Sequence, residues 1–308
     1  MKKLQRTLTL PTAIAISIGG MLSGIFVLPG IAVGITGSSI WLAFLVAALC
    51  ILPAVLSKSE LATAMPKSGG TYVYIERAFG PLFGTVSGLG LWLSLLLKSA
   101  FSLVGLSAYL YVVVQLDAGF SKIVALISLG LILILNVFGV KKVGNTQLAI
   151  VSISVVSLIL LIIFGVNSFD SKLLSPVFSE GNYGFISAVA FLYISYAGVT
   201  KVAAVAGEIK SPERNLPRAM LISLFLITAV YVFVALILVG NIDANILSKD
   251  IRPIYTLAQN LGGNLFGYIA GIVGVMTLLS MANSGVLASS RFPFAMARDK
   301  MLPKFFGS

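Results

Sequence analysis

Two long apolar segments, the first and the sixth along the chain, are each interrupted by small residues. The interruptions are residues 17–24, SIGGMLSG, and residues 195–200, SYAGVT. Glycine allows a helix to unwind, and unwound backbone inside a bilayer must line a cavity or a ligand, because its N–H and C=O groups need partners there. Two such breaks five segments apart predict two inverted repeats with a substrate site between them, as in secondary transporters.

The composition indicates a membrane protein. Over 308 residues the mean hydropathy is +1.05, with 58% hydrophobic and only 10% charged residues, which does not fit a soluble domain. We expect an all-α polytopic membrane protein, its basic first residues leading into a transmembrane helix and not a cleaved signal peptide. Segments of about 20 apolar residues, long enough to span a bilayer, occur at eight places: 11–35, 38–57, 82–114, 122–140, 145–166, 184–206, 218–240 and 265–290.

Basic residues predict the orientation in the membrane. Of the 21 lysines and arginines, fifteen, including Lys2 and Lys3, fall on one side of these spans and four on the other. The positive-inside rule therefore predicts a multi-pass protein of the cytoplasmic membrane with both termini in the cytoplasm. The other two, Lys98 and Lys201, fall inside predicted spans.

Several function classes are disfavoured by the same composition. The chain has no histidine and a single cysteine, Cys50, which argues against an enzyme, a cofactor or a metal centre built from such residues. The net charge of +11 is spread over short loops, so orientation and anionic lipid explain it better than nucleic acid does.

Four motifs resemble those of the amino acid/polyamine/organocation (APC) permeases, in family order. They are YAGVTKVAAVAGEIKSPERNLPRA at 196–219, SGIFVLPG at 23–30, ELATAMPKSGGTYVY at 60–74 and RFPFAMARDKMLP at 291–303. The resemblance implies a LeuT-like fold in which helices one to five and six to ten form inverted repeats. We accordingly expect a single membrane domain over 1–308, with repeat one at 11–166 and a partial repeat two at 184–308 that lacks the counterparts of helices nine to twelve.

The two breaks then form the expected substrate site. Backbone N–H groups of Ser23, Gly24 and Ile25 open the second half of helix one and favour a carboxylate. Carbonyls at Gly20, Ile194 and Ala197 offer acceptors to an ammonium group. By resemblance these positions, with Gly198, match the family's backbone contacts to substrate. The alternative is that the glycines only permit close helix packing.

Lys98, Thr200 and Lys201 are candidates for coupling to an ion gradient. A lysine inside a span is unfavourable unless something neutralises it; the alternative for both lysines is snorkelling to an interface. Some family members carry a coupling lysine in helix five, where residues 149–157 here read AIVSISVVS, and many carry a glutamate at the position of Thr200.

Sodium coupling is a further possibility. Ser280, Ser284 and the Gly20 carbonyl offer oxygen ligands for Na⁺. Serines in an apolar helix more often bond to their own helical turn.

The absence of intramembrane carboxylates and the presence of two lysines favour a neutral or acidic amino acid over a polyamine or arginine. At the cytoplasmic end, Glu208, Glu213, Arg214 and Arg298 are candidates for ion pairs of an inner gate, or else a solvated loop that follows the positive-inside rule.

The functional expectation is a secondary active amino acid permease that uses alternating access and H⁺ or Na⁺. Its partners are the amino acid, the ion and the bilayer, with self-association as a possibility. The alternative is a truncated, non-transporting fragment that needs further helices, because the sequence stops where a ninth helix is expected.

Overall fold

A computed structural model describes residues 6–67, 69–114, 120–137 and 140–307. Lys2 and Lys3, which entered the orientation prediction, and residues 138–139 of the fourth predicted span lie outside this part. The described α-helices are α1 (Leu10–Gly19), α2 (Ser23–Thr36), α3 (Ile40–Ala64), α4 (Thr71–Phe79), α5 (Pro81–Val114), α6 (Ser121–Val137), α7 (Val140–Val166), α8 (Gly181–Tyr196), α9 (Pro212–Asn241), α10 (Ala244–Leu247) and α11 (Pro253–Arg298).

Helical segments occur at all eight predicted spans. In the described ranges, six segments are long and apolar enough to cross a membrane, and the first of them, Leu10–Ala64, contains two predicted spans. The fourth predicted span corresponds to a shorter apolar helix, Lys122–Asn136. Large apolar side chains face outward, as with Phe225, which is 80% exposed. Such an exposed apolar surface suits contact with lipid, and the chain is an all-α polytopic membrane protein.

The first predicted break separates α1 from α2 by a tight turn. Gly20 has φ −71° and ψ −15°, and Leu22 has φ −54° and ψ −29°, so both stay in the right-handed helical region. The N–H groups of Met21 and Leu22 both donate to the carbonyl of Ile18, at 2.8 Å. The break is therefore a change of helical path that keeps most backbone donors satisfied.

The second predicted break takes a different form. After α8, residues Ala197–Glu208 continue as a 3₁₀ helix with a kink at Val205 (φ −99°, ψ 17°). Runs of 3₁₀ helix longer than three or four residues are uncommon, and within a helix they often mark a hinge or strain. Twelve residues of 3₁₀ helix in an apolar segment thus identify the place where helix six departs from regular geometry.

Packing brings these two irregular segments to the centre of the bundle. α1 contacts the 3₁₀ helix, α7 and α9, while α2 contacts α8 and α11. α5 packs along α11, which is 46 residues long and is kinked at Gly262 and Gly263. No strand occurs in the described segments beyond an isolated parallel bridge between Leu8 and Ile209, which ties the start of the chain to the end of the 3₁₀ helix.

Candidate functional site

The two helix breaks touch through their backbones. A Cβ atom added at Gly198 would lie 2.1 Å from the carbonyl oxygen of Gly20 and 2.8 Å from the backbone nitrogen of Met21. Only glycine allows this approach. The structure thus brings the predicted site residues Gly20 and Gly198 into direct contact.

Side chains from neighbouring helices hold the crossing together. The Ser17 hydroxyl donates to the carbonyl of Val199 at 3.1 Å. The buried hydroxyl of Tyr231, on α9, donates to the carbonyl of Met21. Both bonds join side chains to backbone carbonyls at the breaks, and the Met21 carbonyl also accepts the Gly24 N–H, so the crossing is fixed by specific hydrogen bonds in this conformation.

The hydroxyl of Ser195, next to Gly24, has no hydrogen-bond partner among the described residues. A Cβ at Gly24 would lie 3.0 Å from Oγ of Ser195 and 3.1 Å from the hydroxyl of Tyr231. Oγ of Ser195 is buried and has no hydrogen-bond partner in the described part of the chain. Buried polar groups are nearly always paired, so this hydroxyl is a candidate contact for a ligand. Neither Ser195 nor Tyr231 was among the predicted site residues.

The predicted carboxylate half-site at the start of α2 is buried and closely packed. The Gly24 N–H donates to the carbonyl of Met21 at 2.9 Å. The Ser23 hydroxyl points to the sulfur of Met281, and Ile25 is fully buried. In this conformation the Gly24 amide already has an acceptor.

The predicted ammonium half-site contains an ammonium of the protein itself. Nζ of Lys98 donates to the carbonyl oxygen of Ile194 at 2.9 Å, and the same oxygen accepts the N–H of Ala197. The sequence analysis predicts ion coupling for Lys98 and substrate binding for the Ile194 carbonyl. Their contact shows that the Ile194 carbonyl can hold a cationic nitrogen.

The three coupling candidates share a cavity. Lys98, Thr200 and Lys201 line a space of about 170 Å³ next to the 3₁₀ helix, and Lys58 of α3 joins them. Lys201 is only 3% exposed, so it is not a snorkelling side chain. Its stem passes beside Gly20, since a Cβ there would be 2.8 Å from the Lys201 Cδ.

Glu208 makes an ion pair that sequence reasoning did not assign. Its carboxylate accepts from Nε of Arg291, on α11, at 2.7 Å, and Glu208 is buried. Of the other gate candidates, Arg298 lies over the ring of Phe294, while Glu213 contributes only its backbone carbonyl, to the Thr63 hydroxyl. Arg214 is exposed and donates its N–H to Ser211. Within the described ranges, Glu208 and Arg291 form the only ion pair within 4.0 Å.

Tyr72 makes a second side-chain contact at the same end of the bundle. Its hydroxyl donates to Oδ2 of Asp299 at 3.2 Å. Burial and the neighbouring Asp299 carboxylate raise the pKa of Tyr72 well above its usual range. The phenol therefore stays protonated and remains a donor at neutral pH.

The residues named for sodium differ in their hydrogen bonding. Ser284 donates to the carbonyl of Met281 one turn earlier, at 3.0 Å, whereas Oγ of Ser280 is buried without a partner among the residues described. Gln147, on α7, was not predicted. Its amide is buried against Gly19, and neither its nitrogen nor its oxygen has a partner in the same part of the chain. An amide side chain within the apolar span predicted at 145–166, where Asn145 is the other amide, is the sequence signal that could have identified it.

Comparison with known proteins decides the family. The family model for amino acid permeases matches residues 12–308. This chain belongs to the amino acid permease family. The family consists of transporters, which confirms the expectation that the chain is not an enzyme, and the APC resemblance read from the four motifs is confirmed as well.

Two relatives of this permease illustrate the similarity. The serine/threonine exchanger SteT of Bacillus subtilis (strain 168) is 28% identical over 97% of this chain and 70% of its own length. The branched-chain amino acid permease BcaP of Lactococcus lactis subsp. cremoris (strain MG1363) is 27% identical over 99% of this chain and 71% of its own length. The permease is therefore a multi-pass membrane protein with a transporter function.

Proposed function

We propose that this permease moves a neutral or acidic amino acid across the cytoplasmic membrane as a secondary active transporter, by alternating access and driven by H⁺ or Na⁺. The observation that carries the proposal is the contact between Gly20 and Gly198, where two interrupted helices cross in the middle of the bundle. Broken helices in transporters place helix ends and free carbonyls at the substrate site.

The site would hold the two charged ends of an amino acid on different helices. In an open conformation the N–H groups of Ser23, Gly24 and Ile25, at the N-terminus of α2, bind the carboxylate. The carbonyls of Gly20, Ile194 and Ala197 bind the ammonium. Ile194 already accepts a bond from the Lys98 ammonium at 2.9 Å, which supports an acceptor role for this carbonyl.

The two-repeat organisation belongs to the same proposal. A single membrane domain has repeat one over 11–166, which contains the first break, and a partial repeat two over 184–308, which contains the second. Movement of one repeat against the other would alternate access. The ion pair of buried Glu208 with partly exposed Arg291 joins the end of the 3₁₀ helix to α11 and is suited to closing the cytoplasmic side, with both termini in the cytoplasm.

Exchange is a second candidate for the transport mode. SteT is by name a serine/threonine exchanger, and exchange needs no coupling ion. Sodium symport would instead use Gly20, Ser280 and Ser284, with Gln147 beside Gly19 as an added oxygen source.

Uptake by proteoliposomes that contain this chain tests the proposal. A labelled amino acid mixture is offered with a proton gradient, with a sodium gradient, and with unlabelled amino acids inside and no gradient. Gradient-driven uptake supports symport, and uptake only into loaded vesicles supports exchange. Binding without uptake under all three conditions would contradict transport by this chain and favour a non-transporting fragment.

A further inference from the structure

The cavity beside the 3₁₀ helix is surrounded by positive charge. Lys58, Lys98 and Lys201 line it from three different helices. The residues that line it include no aspartate or glutamate in the described part of the protein. Four further lining residues carry hydroxyl groups: Thr71, Ser94, Tyr193 and Thr200. Every side-chain polar group around this space can donate a hydrogen bond, and only the hydroxyls can also accept one.

Lys201 lacks any partner for its charge. The side chain is 3% exposed, and Nζ has no hydrogen bond among the described residues. A buried ammonium without a counter-charge is strongly unfavourable, because it gives up its hydration and gains nothing in return. The group therefore has its full donor capacity available to a ligand in the cavity.

Lys98 and Lys58 add further amino groups to the same cavity. Lys98 uses one of its three N–H donors on the Ile194 carbonyl, which leaves two for a ligand. Lys98 and Lys201 line the same cavity, so an anion between their amino groups would attract both when they are protonated.

The position of the cavity connects it with the substrate site. Lys201 runs along Gly20, and Lys98 bonds the carbonyl of Ile194; Gly20 and Ile194 are the positions proposed to hold the substrate ammonium. A ligand bound there would direct its side chain toward the lysines. A cavity of about 170 Å³ exceeds the space that one water or one halide ion fills, and it suits a short carboxylate-bearing side chain.

We propose that the cavity of Lys58, Lys98 and Lys201 binds the side-chain carboxylate of an acidic amino acid, which makes a dicarboxylic amino acid the preferred substrate. The inference rests on the proposed transport function, of which it narrows the substrate class. Lys201 is the main anion contact, and Lys98 joins it when the substrate ammonium replaces Lys98 at Ile194.

Glutamate and glutamine provide a matched pair of probes, because they have nearly the same shape and differ in charge. Their equilibrium binding is measured on the purified chain in lipid nanodiscs. We expect glutamate to bind at least about ten-fold more tightly than glutamine, and the difference to shrink with added salt. The substitutions Lys201→Met and Lys98→Met keep the length of the side chain and should each bring the ratio of the glutamine and glutamate dissociation constants close to one.

The control is Lys172→Met, because Lys172 is an exposed lysine outside the cavity. It should keep the preference for glutamate. If Lys201→Met does not fold, the wild-type comparison and Lys98→Met still decide the question.

Each contrary result has a distinct meaning. Equal affinity for glutamate and glutamine in the wild-type chain, together with measurable uptake of neutral amino acids, would overturn the acidic site and leave the transport proposal intact. A glutamate preference that survives both lysine substitutions would also overturn it. Failure of every amino acid to bind would overturn both proposals.

Discussion

Gly198 faces the carbonyl oxygen of Gly20 so closely that a methyl group on Gly198 would lie 2.1 Å from that oxygen. The obstruction is backbone, so no side-chain rotation can relieve it. The two interrupted helices are therefore held at one distance, and the site that they form depends on the absence of a side chain at this point.

Replacing Gly198 with alanine should destabilise the bundle. Overpacking of a well-packed interior typically costs about 1–3 kcal/mol, and here the added atom meets backbone. We expect a lower thermal unfolding midpoint in detergent. The control is Gly90→Ala on α5, where a Cβ would meet nothing within 4 Å. Equal midpoints for the two variants would contradict the close crossing.

Breaking the ion pair between Glu208 and Arg291 should lower the free energy of unfolding more than removing another arginine from α11 does. Loss of one partner of a buried pair costs about 3–5 kcal/mol, because the other charge is left uncompensated. Arg291→Ala should therefore lower the free energy of unfolding clearly more than Arg298→Ala, since Arg298 rests over the Phe294 ring, a contact worth about 0.5–1 kcal/mol when exposed. Chemical unfolding measures the free energy of unfolding of both variants. Similar decreases for Arg291→Ala and Arg298→Ala would contradict a stabilising ion pair between Glu208 and Arg291.

Tyr231→Phe should weaken the junction without creating a cavity. The substitution removes one of two donors to the Met21 carbonyl and leaves the Gly24 N–H in place, so we expect the loss of one hydrogen bond, about 0.5–1.5 kcal/mol. Tyr183→Phe, at an exposed position, is the matched control and should be neutral in the same unfolding measurement. A neutral Tyr231→Phe would mean that the Gly24 N–H alone satisfies the Met21 carbonyl.

Ser195→Ala should separate stability from binding. The hydroxyl is buried without a partner among the described residues, so its removal should leave the unfolding midpoint unchanged or raise it. If the hydroxyl contacts substrate, the affinity for amino acids should fall. Binding and unfolding are measured on the same preparation, with Ser57→Ala at an exposed helical position as the control. Unchanged affinity would remove Ser195 from the site.

The sequence predicted the helix positions well because their signals are local. Hydropathy locates the spans, and the glycines and serines locate both breaks within a few residues of where α1 and α8 end. The form of the breaks was less accessible: one is a tight turn, and the other is a 3₁₀ helix of twelve residues. Tertiary packing around each segment determines which form it takes, and this packing cannot be predicted from the local sequence.

Long-range pairs were the hardest to predict. Lys98 donates to the backbone carbonyl of Ile194. Any residue at position 194 would provide this carbonyl, so the residue type there could not predict the contact. Arg291 meets Glu208 because of its position along α11, whereas Arg298 has the same charge and lies about two turns further on in the same motif. Ser195 and Tyr231 could not be predicted as neighbours of Gly24, because their positions depend on how α8 and α9 pack around it.

The most direct test of a transport site at the crossing is Gly24→Ala in proteoliposome uptake. The added methyl would lie 3.0 Å from Ser195 and 3.1 Å from the Tyr231 hydroxyl. These side chains can shift by a few tenths of an ångström to admit it, and it would then lie beside the α2 amides proposed to bind the substrate carboxylate. We predict that uptake of a labelled amino acid mixture falls by about a hundred-fold, as misplacement at a site can cause, while the unfolding midpoint stays near that of the wild type and Gly90→Ala transports normally. Wild-type uptake by Gly24→Ala would contradict a substrate site at the crossing of the two helices.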